Sequence, residues 1–384
     1  MKEKSLNPFV RPMLIRDQDE HRAATPLELL YDLVSVIAIA SAAAGLHHAI
    51  ADDHIFDGVL SYAIAFFAIW WPWMNFTWFA SSYDTDDVPY RIATFVQMAG
   101  ALVLAAGISE VFSSFDFTMG LIGYIIMRLA MVSQWIRVAR NNPSHRTTAL
   151  RYIGGMVLCQ LGWAVLILTS PSFLLTGIFF LIACELFVPA YAERASKVSY
   201  HKHHIIERYG LLTIIVLGES LLAVSVAMSS LADSAGNPYL FITIIGGLVI
   251  MFCCWWLYFA EEKYHLLSTK KGAFIWGYSH LLIFGAVAAI GAGLAVKVDF
   301  LTNHAEIGWV TANASITLPT ALFLLSLWFV HERPKERSAL RWLVLPLTAG
   351  LILLCSFLPF AVLAVATLLI VCLTLYLRQA ANLL

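Results

Sequence analysis

The chain has 384 residues, 60% apolar and only 13% charged, with a mean hydropathy of +0.77. Soluble domains carry about a quarter charged residues, so this composition excludes a soluble enzyme. The 24 Lys and Arg nearly balance the 25 Asp and Glu, for a formal charge of −1, so no global basic field argues for a nucleic-acid partner.

Residues 1–27 are polar and carry Lys2, Lys4, Arg11, Arg16 and Arg22. They lack the short apolar core and cleavage site of a signal peptide and read as an N-terminal segment on the cytoplasmic side. A transmembrane helix needs about 20 mainly apolar residues. Twelve such runs begin near Glu28, Asp57, Tyr90, Thr118, Ala149, Ser172, Glu207, Tyr239, Ala273, Ile307, Leu340 and Pro359, which predicts an all-α integral membrane protein of about 12 transmembrane helices. All but two of the 24 basic residues then fall in the N-terminal segment, the even loops or the tail. The exceptions are Lys297, assigned to the opposite side, and Arg128, inside the fourth run. By the positive-inside rule both termini are cytoplasmic and the chain lies in the inner membrane of a prokaryote. No loop is long enough for a catalytic domain, and no GxxxxGK[ST] occurs. The six cysteines, Cys159, Cys184, Cys253, Cys254, Cys355 and Cys372, all lie in apolar stretches and read as small buried hydrophobes.

Six runs followed by six suggest an internal duplication. ELLYDLVSVIAIAS from Glu28 aligns with ERYGLLTIIVLGES from Glu207, and Trp78-Phe79-Ala80 falls against Tyr258-Phe259-Ala260. The expected organisation is a segment over 1–27, a six-helix repeat over 28–193, a cytoplasmic linker over 194–206 and a second six-helix repeat over 207–384. Copies with an even number of spans share one orientation, so the repeats are parallel and face the first and seventh runs toward each other.

An ionisable side chain within a span is costly unless paired or solvated, so each is a functional candidate. Glu28 and Asp32 are four apart and share a helical face, with Ser35 three further on. Glu219 lies about 18 Å into the seventh run at 1.5 Å per residue, and Arg208 points along the same face. Arg128 is the cation at similar depth, so a Glu219–Arg128 pair is the simplest way to satisfy both. Glu185, His280, Glu207 and Ser220 complete the candidates for a solute or ion path. The competing reading is a set of static salt bridges and packed polar residues that fix helix packing.

Asp84, Asp86 and Asp87 follow the second run and read as a cation-binding or simply solvated cytoplasmic loop. The run His201-Lys202-His203-His204, with Glu207, Glu261, Glu262 or His265, is a weak metal pattern, and neither metal nor cofactor is assigned. Trp70, Trp71, Trp73 and Trp78 read as an interfacial aromatic belt.

Three segments, HRAATPLELLYDLVSV from His21, YDTDDVPYR from Tyr83 and ERYGLLTIIVLGES from Glu207, resemble the bacterial low temperature requirement protein A family across nearly the whole chain. Ser35 departs from the large apolar residue the pattern suggests. The resemblance implies a multi-pass membrane protein connected with growth in the cold, and no specific chemistry. The buried charges favour a secondary transporter of a small solute or ion through a polar interior. The alternatives are an ion channel between the two repeats and a structural or lipid-linked membrane protein. An enzyme is not expected: no GxGD supplies a second aspartate and no histidine boxes occur. The expected partners are the lipid bilayer and a small solute or ion, and a homodimer is compatible with the sequence though no feature demands one.

Overall fold

A computed structural model describes residues 9–16, 22–169, 172–233, 237–261, 264–267, 269–332 and 339–381. The described residues form helices and no strand: α1 (Pro26–Ala51), α2 (Ile55–Tyr83), α3 (Val88–Ala106), α4 (Ile108–Ser114), α5 (Thr118–Asn141), α6 (Arg146–Thr169) and α7 (Leu174–Ala192), then α8 (Lys202–Asp233), α9 (Pro238–Phe259), α10 (Lys270–Leu301), α11 (Trp309–Leu327), α12 (Ala339–Leu354) and α13 (Ala361–Ala381). Each apolar run expected from sequence coincides with a helix starting within a few residues of it. Ten of the described helices are long and apolar enough to cross a membrane, α3 and α4 counting as one rod over Val88–Ser114. The expected twelve is therefore not reached on that measure. The seventh run falls on α8, which carries Glu207, Arg208 and Glu219, and the eleventh on α12, whose apolar stretch covers only Trp342–Phe357.

Local chemistry sets the helix boundaries. Thr25 and Glu28 form a capping box at α1, with Thr25 N donating to Glu28 Oε2 (2.8 Å) and Glu28 N to Thr25 Oγ1 (3.3 Å), and Pro26 at the first helical position. Asp87 caps α3 by accepting Tyr90 N (3.0 Å), Asn237 caps α9 by accepting Tyr239 N (3.0 Å), and Thr269 caps α10 by accepting Gly272 N (3.0 Å). Asp53, Asp86, Phe115 and Asn303 take positive φ where the chain turns between helices.

The chain divides into two compact units, one of Met1–Ala38 with Ala68–Arg208 and the other of Ile39–Phe67 with Tyr209–Leu384. Helices α1, α2 and α8 thus contribute one part to each. In the first unit α3 packs on α5, α5 on α6 and α6 on α7; in the second α10 packs on α11, α11 on α12, α12 on α13 and α13 on α9. Without a hydrophobic drive between helices in lipid, close backbone approach at small residues provides the packing. A Cβ on Gly123 of α5 would stand 2.4 Å from Leu104 N and 2.5 Å from Gly100 O of α3. A Cβ on Gly293 of α10 would stand 2.0 Å from Ser315 O of α11.

Lys297, assigned to the opposite side, is buried near the end of α10, where its Nζ donates to Asn313 Oδ1 at 2.7 Å. One expectation changes here. The tryptophans at 70, 71 and 73 are not interfacial, with 2%, 0% and 1% of their surface exposed. All six cysteines are free, and five of them are buried.

Gly123→Ala is expected to lower thermal stability in detergent by about 1–3 kcal/mol through overpacking. Gly154→Ala, at a position where a Cβ meets nothing within 4 Å, serves as the silent comparison.

Candidate functional site

The first unit holds a buried charge network that starts from the capping box. Because Oε2 of Glu28 is taken by Thr25 N, its Oε1 is left to face the interior, where Arg22 Nη2 (3.2 Å), His204 Nε2 (3.0 Å) and Arg208 Nη1 (3.2 Å) converge on it. A carboxylate in the first turn also favours the positive end of the helix dipole. One turn later Asp32 lies on the same face, and its Oδ1 accepts Arg208 Nη2 (2.5 Å) and Trp73 Nε1 (2.6 Å). Arg208 therefore clasps both carboxylates of α1. Glu28, Asp32, His204 and Arg208 are each 0% exposed.

Arg22 extends the network to the α2–α3 loop, donating to Ala80 O and to Asp84 Oδ2 (3.1 Å), where Arg16 also arrives at 3.3 Å. Burial pushes the Asp84 carboxyl above its ordinary value, against the opposing pull of Arg22. Asp87 accepts Arg11 N (2.7 Å) and Arg137 Nη2 (2.5 Å) while capping α3. Asp86 holds Arg91 through two bonds of 2.8 Å on the surface, and this hydrogen-bonded partner lowers its pKa. The three loop aspartates are thus each committed to arginines, an arrangement that fastens the N-terminal segment and α5 to the loop.

A second cluster lies between α5 and α7. Arg128 pairs with Glu185, which also accepts Trp71 Nε1 (3.0 Å) and Tyr124 OH (3.1 Å), and the Arg128 guanidinium stands 5.2 Å from the Tyr124 ring centre. The expected Glu219–Arg128 pair is replaced by this one: depth along a span is one coordinate, and the neighbour in the packed unit is α7. Trp71 and Trp73 are two apart on α2, hence about 200° apart around it, so one serves Glu185 and the other Asp32. Between the clusters the Tyr31 ring stacks on Phe76 at 4.3 Å, over which Arg208 also lies, and Tyr31 is within electrostatic range of Arg128 and Arg208 alike. Ser35, where the family pattern suggests a large apolar residue, is buried with its hydroxyl donating to Tyr31 O (2.8 Å).

The other candidates separate from this interior. Glu207 is exposed and accepts Ala24 N (3.0 Å). In the second unit His280 is walled by Tyr209, Trp276, Tyr258 and Phe284. Its Nδ1 lies 2.7 Å from Trp276 O and its Nε2 3.1 Å from Tyr258 OH, so both ring nitrogens are engaged and it reads as a packing residue. Glu219 and Ser220 line a cavity of about 270 Å³ with His47 and Asp299. Among the described residues no three His, Cys, Asp or Glu side chains stand close enough to hold a metal; His204 of the histidine run joins the buried carboxylate of Glu28, and the side chains of Glu262 and His265 lie outside the described residues. Sequence reasoning missed Arg22, His204, Trp71 and Trp73 as members of the interior. For the tryptophans a usable signal existed, since two indole N–H groups flanking Pro72 inside an apolar helix need acceptors.

Fold and interior together define a polytopic helical membrane protein whose first unit buries paired charges between its helices. Over residues 23–377 the chain matches the family described as bacterial low temperature requirement A protein (LtrA), and it belongs to that family. It is also 26% identical over 309 residues, covering 74% of this chain and 71% of the relative, to RA0937, an uncharacterised protein of Rhizobium meliloti (strain 1021).

Burial acts to raise the Asp87 carboxyl, but Arg11 N–H, Arg137 and Tyr90 N–H hold it below its ordinary 3.8. A depressed folded value adds stability that is complete above the unfolded value and lost as pH falls through the folded one. Asp87→Asn is expected to lower Tm at neutral pH, and the gap to wild type is expected to narrow as pH falls below the ordinary carboxylate value of 3.8 and through the depressed one. Thermal melts in detergent over an acid series check this; a gap independent of pH would refute it.

Proposed function

We propose that the chain is a secondary transporter of a small polar solute or ion, which it binds at the charged interior of the first unit. One observation carries this reading. Among the described residues Asp32 Oδ2, the Tyr31 hydroxyl, Arg208 Nε, and Arg128 Nε and Nη1 in that interior have no hydrogen-bond partner. Each unsatisfied buried polar atom costs about 1–3 kcal/mol, and a bridge serving only to fix packing gains nothing by leaving donors and an acceptor open. A polar species carrying both kinds of group satisfies them together. The charges are closed on one another in pairs, which supports one occluded site over the continuous hydrated route that a channel needs.

The finer architecture belongs to the same reading: twelve spans, two parallel repeats over 28–193 and 207–384, both termini cytoplasmic, in the inner membrane of a prokaryote. Three observations support it. The helix pairing order α3–α5–α6–α7 recurs as α10–α11–α12–α13. Both sets have glycine-mediated approaches at their first pair, Gly123 in one and Gly293 in the other. Arg11, Arg16 and Arg137 gather at the α2–α3 loop, so the basic N-terminal segment shares one end with that loop and the end of α5.

The test is the current across a solid-supported membrane carrying proteoliposomes of the full chain, under steps of pH, K⁺, Na⁺ and a panel of small organic anions and amines. Transient currents that depend on one solute are expected. Tyr31→Phe, which removes an unpartnered hydroxyl and no ion pair, is expected to reduce them at least about tenfold, a loss of roughly 1.4 kcal/mol of binding or barrier, with Tm unchanged. Asp32→Asn is expected to abolish them and to lower Tm as well, because Arg208 then loses one of its two carboxylates. A sustained conductance would replace the carrier by a channel. Silence under every gradient, with Tyr31→Phe as stable as wild type, would leave the structural or lipid-linked role.

A further inference from the structure

The second unit contains a cavity of about 270 Å³ between the second half of α1, α8 and α10. Its walls are largely alanine and glycine, Ala40, Ala44 and Gly291 among them, and its titratable residues are His47 from α1, Glu219 from α8 and Asp299 from α10. At the mouth His47 Nε2 stands 2.7 Å from Asp299 Oδ2, with both side chains partly exposed. This is the end of the unit where Glu306 N donates to Ala51 O (2.9 Å), tying the turn after α1 to the segment before α11. At the inner end Ser220 Oγ donates to Val287 O (3.0 Å) of α10, and a Cβ on Gly291 would stand 2.9 Å from Ser220 atoms. That contact fixes the level of Glu219 beside Gly291. From Gly291 to Asp299 is eight residues of helix, about 12 Å, so the cavity runs from a rim histidine to a half-buried carboxylate on α8.

Among the described residues Glu219 has neither an ion pair nor a hydrogen bond. A lone carboxylate within an apolar helix is tolerable only if it is hydrated or takes a proton. The space is large enough for several waters. A dehydrated hard cation asks for about six oxygen ligands, and no three His, Cys, Asp or Glu side chains gather for one among the described residues. A proton needs one acceptor and a water path, and the His47 imidazole at the mouth is the side chain best suited to pass it inward.

We propose that Glu219 is a proton-binding site, reached from the α1–α2 turn end of the second unit through a hydrated cavity with the His47–Asp299 pair at its mouth. The site goes beyond the carrier reading, because proton binding is measured without solute flux. If flux is absent and Glu219 still takes up protons through water, only the carrier reading fails.

The full chain in detergent is treated with dicyclohexylcarbodiimide, which reacts with protonated carboxyls in apolar surroundings, over a pH series, and the adducts are mapped by mass spectrometry. Glu219 is expected to be modified, with a yield that falls at least tenfold as pH rises. Glu219→Gln is expected to lose that adduct while keeping the wild-type Tm. In proteoliposomes Ala295→Cys, on the cavity wall, is expected to react with a charged, membrane-impermeant thiol reagent. Failure of Glu219 to react at any pH would overturn the proposal. So would an Ala295→Cys that reacts only with a membrane-permeant reagent, since the cavity would then hold lipid tails and not water.

Discussion

A guanidinium held between two carboxylates one helical turn apart governs the first unit. Charges removed from water must be matched at hydrogen-bond distance, and Arg208 does this for Glu28 and Asp32 at once. Since Glu28 is pinned by the capping box of α1, its free oxygen faces the interior before any tertiary contact forms. The start of α8 must then lie against the start of α1 for the pair to be met. Arg22 and His204 join at the same oxygen, which draws the segment before α1 and the residues before Arg208 into the same packing.

The helix α2 links this network to the Arg128–Glu185 pair. Its two indoles point to opposite sides, so rotating α2 about its axis would break a hydrogen bond in both clusters. Cooperative satisfaction of this kind makes an intramembrane polar interior specific, and it also makes its open valences conspicuous. Among them are atoms of Tyr31, Asp32, Arg128 and Arg208, whereas in the second unit Glu219 lines a cavity walled by small residues.

Much of the paired interior was legible in the sequence. The four-residue spacing of Glu28 and Asp32, the position of Arg208 at the head of an apolar run, and the isolation of Arg128 and Glu185 inside such runs each mark a buried ionisable group without any alignment. Their partners were less legible. Depth along a span gives one coordinate, so Arg128 and Glu219 looked matched, but the partner is chosen by which helix lies alongside. His204 and Arg22 were obscured because basic residues at a membrane edge already have a sufficient explanation in orientation. The tryptophans of α2 were obscured for the same kind of reason, since an interfacial belt accounts for aromatics near the end of a span.

What the sequence determined by itself is the class of molecule. Apolar runs of spanning length leave the backbone no other way to satisfy its hydrogen bonds in lipid than as helices, and caps such as Thr25, Asp87 and Thr269 place their starts locally. The tertiary structure decided which buried charges meet, which polar atoms stay open, and that Glu219 faces a cavity and not an arginine. Those outcomes depend on the lateral order and rotation of helices, set by close backbone contacts such as Gly123 against Gly100 and Gly293 against Ser315, between residues that periodicity along one helix cannot bring together.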